Sequence, residues 1–125
     1  MRKTFRRITA VALAGLMTTC IAVTASATTN KYECTSCKTI TTSTLDVTST
    51  NAVATTSIND GSRGVSVGIY GEFMNKDTGK ISDTGNGSGG RAGVTTSIYN
   101  GGTIWTKVKS THSRCCSGST TVLNW

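Results

Sequence analysis

The chain has 125 residues, with 14 Gly, no Pro, 5 Cys and a formal net charge of +7. That length holds one small domain and excludes a second. The charge invites nucleic-acid or membrane binding, a reading that weakens once the charge is divided along the chain.

Arg2, Lys3, Arg6 and Arg7 precede an apolar run from Ile8 through Val23, and Ala25-Ser26-Ala27 follows it. A positive segment, an apolar segment and an A-x-A site predict a secretory signal peptide over residues 1–27, cleaved after Ala27. The run is too short and too rich in Ala, Gly and Thr to anchor the chain in a bilayer. Cys20 follows Met17-Thr18-Thr19 and precedes Ile21, which is not a lipoprotein pattern, so it leaves with the peptide. The mature domain, 28–125, is then expected to be secreted and extracellular, without a membrane span. Nine basic and six acidic residues remain in it, a net +3, and no nucleic-acid partner is expected. Of its 98 residues 33 are Ser or Thr and only 16 are Leu, Ile, Val or Phe. So thin a core usually needs covalent help.

Helical periodicity is absent after the peptide, whereas short alternating stretches of Thr, Val, Ile and Tyr recur between Gly, Asn and Asp. They predict strands over 38–48, 52–58, 65–74, 79–84, 93–99, 103–111 and 120–124. Asn59-Asp60-Gly61, Asn75 to Gly79 and Asn100-Gly101-Gly102 supply turns, and Gly85 to Gly90 reads as a flexible loop. Thr55 to Gly61 aligns with Thr95 to Gly101, each copy followed by an alternating strand. The expected fold is all-β, a small antiparallel two-sheet β-sandwich stapled by disulfides. Val65, Val67 and Ile69 form a core face. Over 103–111, Ile104, Thr106 and Val108 are expected inside, with Trp105, Lys107 and Lys109 outside.

Cleavage leaves Cys34, Cys37, Cys115 and Cys116, an even set in a secreted chain. Crosswise pairing closes loops of about 80 residues, worth roughly 4 kcal/mol. Pairing Cys34 with Cys37 and Cys115 with Cys116 is the alternative, and it strains a vicinal pair. A thioredoxin-type site lacks its helix, and adjacent cysteines are poor joint ligands for tetrahedral zinc, so neither a metal nor a cofactor is expected.

His112, the one histidine, reads as an exposed strand-end residue rather than part of a Ser-His-Asp set. Glu72, Asp77 and Asp83 cluster on one hairpin, but turn chemistry accounts for Asp77. The chain is therefore not expected to be an enzyme. Lys107, Lys109, His112 and Arg114 beside Trp105 form the candidate binding stripe, suited to a cell-envelope component or anionic wall polymer. Edge protection of the sheet would account for the same lysines.

Asn75-Lys76-Asp77-Thr78-Gly79-Lys80, Asp83-Thr84 and Arg91-Ala92-Gly93-Val94, together with the aromatic end Asn124-Trp125, resemble the second half of lactococcin 972-type bacteriocins. The likeness covers about a third of the chain, and the paired cysteines depart from the family pattern. It implies a secreted, non-enzymatic antibacterial β-sandwich acting at the envelope of Gram-positive cells. A secreted structural or adhesive module binding glycan or matrix is the alternative.

Overall fold

Branched side chains lose little freedom on a pleated surface, and among the described residues most Thr, Val and Ile lie in strands and none in a helix. The structure, a computed structural model, describes residues 25–114 and 120–125. Eight strands run in chain order: β1 (Ala25–Cys34), β2 (Thr39–Thr48), β3 (Asn51–Ile58), β4 (Gly64–Met74), β5 (Ile81–Arg91), β6 (Gly93–Tyr99), β7 (Ile104–Ser113) and β8 (Thr120–Asn124). They form two four-stranded antiparallel sheets, β1-β2-β3-β6 and β5-β4-β7-β8. The all-β, two-sheet expectation holds.

Two strands depart from the sequence reading. β1 is additional, and its first residues are Ala25, Ser26 and Ala27, opposite Thr48, Val47 and Asp46. Cleavage after Ala27 would leave Thr28–Cys34 paired with Thr39–Leu45. The Gly85 to Gly90 segment is strand rather than loop, because β4 supplies a full ladder of partners from Gly64↔Arg91 to Met74↔Ile81. Ala92, at φ 70°, then carries the chain from one sheet to the other. The backbone N–H groups of Ile58 and Ala92 bond the carbonyls of Ala92 and Arg63 at 2.8 Å each.

The repeated segments are neighbours. Thr55 faces Thr95 in the register of β3 and β6, with hydroxyls 3.0 Å apart, and the strands that follow, β4 and β7, also pair antiparallel. The repeat is thus a pair of two-strand units related by an approximate twofold through the sandwich.

Between the sheets the core has two parts. Leu45, Val47, Ala52, Ala54, Ile98, Trp105 and Val108 are buried toward one end, joined by Val67, Ile69 and Leu123. Away from that end, where β2 and β3 face β7 and β8, buried polar residues take over: Thr41, Ser43, Thr56, Ser110, His112 and Thr121.

A β-bulge explains the misassigned face of β7. Glu72 pairs with Lys107 but Phe73 with Trp105, so Thr106 has no counterpart and the strand changes phase. Trp105 (5% exposed) turns inward and Ile104 (43% exposed) outward, the reverse of expectation, whereas Val108 remains inside. The indole meets Phe73 edge-on, with centroids 6.0 Å apart. It lies over Gly71, where an added Cβ would stand 2.5 Å from the indole and 2.7 Å from Ile98. Gly71→Ala is therefore expected to cost about 1–3 kcal/mol in chemical denaturation, since the rigid, buried indole cannot bend away from the added methyl.

Candidate functional site

The apolar end of the sandwich opens into a cleft of about 330 Å³. Thr48 at the end of β2 and Ser49 and Thr50 of the β2–β3 turn form one wall, and Gly102 and Thr103 of the β6–β7 turn form another. Ile104 and Trp105 of β7, Trp125 after β8, and Lys76 of the β4–β5 turn complete it. Sandwich loops cluster at the ends of the strands, and an end cleft is a natural place for a ligand in this architecture.

Asn100 holds the two turns together. Its Nδ2 donates to the carbonyls of Ser49 (2.9 Å) and Thr103 (3.1 Å), and its Oδ1 accepts from Gly102 N–H (2.9 Å). Its backbone N–H donates to Thr50 C=O at 3.0 Å, and its carbonyl accepts the Thr103 hydroxyl at 2.7 Å. The positive φ of Gly101 and Gly102, 70° and 86°, completes the turn. Sequence reasoning placed this turn but missed its structural work; an Asn directly before two glycines was the available signal, and its burial is decided by the fold.

Lys76 is held out by the neighbouring turn, where Asn75 Oδ1 accepts from the N–H groups of Asp77 (2.8 Å) and Thr78 (3.0 Å) and Gly79 takes φ 74°. It makes no ion pair among the described residues, and it is the only charged side chain lining the cleft. Trp125 is 46% exposed, whereas Trp105 is buried and its indole N–H has no partner among the described residues. An unbonded buried donor carries a free-energy cost.

The predicted stripe is not assembled. Trp105 belongs to the core and the cleft wall. Lys107 and Lys109 are exposed on the outer face, opposite Glu72 and Tyr70 of β4. Tyr70 hydroxyl donates to Glu72 (3.0 Å) and Asp83 (3.3 Å), and these carboxylates push its pKa up to about 12. The lysines therefore share their face with two carboxylates and present no uniformly basic patch. Arg114 lies over the Tyr32 ring at 4.2 Å, with Nε donating to Thr121 hydroxyl at 3.0 Å.

His112 is 0% exposed, not a surface residue. Its Nδ1 is 2.7 Å from Thr56 Oγ1 and its Nε2 is 2.7 Å from Ser110 Oγ. Whichever nitrogen carries the proton, one hydroxyl donates to the ring and the other accepts. Burial lowers its pKa, partly opposed by the Thr55 backbone. The Ser-His contact resembles half of a hydrolytic triad, yet Ser110 is 1% exposed and the contact is sealed from substrate. Asp77 sits in the Asn75 turn as expected.

Cys34 and Cys37 have their sulfurs 2.8 Å apart across the β1–β2 turn, where Lys38 takes φ 56°. Cys115 and Cys116 lie outside the described residues, so the crosswise staple has only its Cys34 and Cys37 half in view. Among the described residues no group of three or more His, Cys, Asp or Glu is placed to hold a metal. Among the described residues there is no helix long and apolar enough to cross a membrane. Comparison of the chain with family models, with curated proteins and with solved structures gives no match.

Proposed function

We propose that the chain works outside the cell as a small non-catalytic protein that binds a component of the cell envelope through the end cleft, with bacteriocin-like inhibition of Gram-positive cells as its effect. One observation carries the reading: two tryptophans, a ring of hydroxyls and one lysine without an ion pair among the described residues meet in a cleft braced by Asn100. Aromatic and polar groups gathered in a concavity are the composition of a binding site. The secretion signal in the sequence supplies the compartment.

The test is attachment of the folded chain to a panel of Gram-positive cells, with growth followed in parallel. The parent is expected to attach and to slow growth of some strains. Trp125→Ala is expected to weaken attachment about tenfold or more, as loss of an aromatic anchor does. Attachment without any effect on growth favours the adhesive alternative. Equal attachment of parent and variant rules out the cleft.

A further inference from the structure

We infer that the cleft takes a sugar ring bearing a negatively charged substituent, a ligand class that rests on the cleft being the working site. Size sets the first limit. At about 330 Å³ the cleft is at the lower end of the range for small-molecule sites, which restricts its occupant to about one or two rings.

The lining sets the second. Trp125 presents a half-exposed indole, and such a face packs against the C–H surface of a sugar while leaving its hydroxyls outward. Those hydroxyls find complementary groups. Thr103 already donates to Asn100 and retains acceptor capacity, and Thr50 accepts from Asn51 Nδ2 at 3.3 Å and retains its proton.

Charge sets the third. Lys76 is exposed and without an ion pair among the described residues, and no acidic side chain lines the cleft. A neutral sugar leaves that ammonium unused, and an aminosugar is repelled by it. A carboxylate or phosphate on the ring meets it.

The experiment is titration of tryptophan fluorescence in the folded chain with glucose, glucuronate, glucose 6-phosphate and glucosamine. At least one acidic sugar is expected to bind about five- to tenfold more tightly than glucose, a preference that shrinks as salt is added. Lys76→Gln, in an exposed turn, is expected to bring acidic and neutral sugars to parity. Trp125→Ala is expected to remove the response to all of them. Binding of glucuronate alone assigns the anion to a carboxylate, and binding of glucose 6-phosphate alone assigns it to a phosphate. The proposal is overturned if glucosamine binds as tightly as the acidic sugars, if Lys76→Gln leaves the preference intact, or if no sugar binds. Where no sugar binds but Trp125→Ala still abolishes attachment to cells, the ligand class is wrong and the cleft reading stands. Where the variant attaches like its parent, the cleft reading fails.

Discussion

Asn100→Ala is expected to lower the unfolding free energy by about 3 kcal/mol in chemical denaturation, the largest effect of any substitution near the cleft. The side chain is 1% exposed and makes three hydrogen bonds, from Nδ2 to the carbonyls of Ser49 in the β2–β3 turn and Thr103 in its own turn, and to Oδ1 from Gly102 N–H. Removing it leaves those backbone groups without a partner, and an orphaned buried polar group costs more than a hydrogen bond is worth on average. Asn100→Asp keeps the volume and the bond from Gly102 but replaces the donor with a charged acceptor facing two carbonyls. It should therefore destabilise as well, which separates hydrogen bonding from packing. If both variants unfold at the parent's denaturant midpoint, Asn100 does not brace the cleft.

Stability is also expected to fall as pH is lowered from 7.5 to 5, and His112 is the reason. Its folded pKa lies below the ordinary 6.5 because the ring is buried. Below pH 6.5 the unfolded chain takes up a proton that the folded chain refuses, so acid favours unfolding. The loss begins near pH 6.5 and ends at the lower folded value, with a slope of at most about 1.4 kcal/mol per pH unit. Asp60, held below 3.8 chiefly by hydrogen bonds from Ser62, titrates in a separate window. His112→Ala is expected to cost about 3–4 kcal/mol at pH 7.5, because it leaves a cavity and strands the hydroxyls of Thr56 and Ser110. What stability remains should be flat between pH 7.5 and 5. Denaturant curves across that range check both statements, and an unaltered slope in the variant assigns the acid sensitivity elsewhere.

The sequence carried the class of fold because alternation survives in strands with one buried face. Val65, Val67 and Ile69 lie inside as their spacing required. Where the reading failed, a long-range partner had decided the matter. Gly85 to Gly90 has the composition of a linker, yet β4 offers it a ladder on one side. Trp105 and Ile104 exchanged places because a bulge leaves no mark in the alternation of a single strand. His112 looked exposed because one of its two hydrogen-bond partners, Thr56, is 56 residues away. The cleft was invisible for the same reason: its walls come from three turns and the adjoining strand ends, which only the folded chain gathers.

The division of the core bears on how the molecule opens. Segments held by few apolar contacts exchange and unfold at lower free energy than those packed on a continuous apolar cluster. The end with the cleft is seated on Leu45, Val47, Ile98 and Trp105, whereas the region between β2, β7 and β8 depends on hydroxyls and one imidazole. Partial opening therefore starts beside Cys34 and Cys37 and reaches the cleft last. The polar margin of the sandwich can then open in a molecule whose cleft end is still closed.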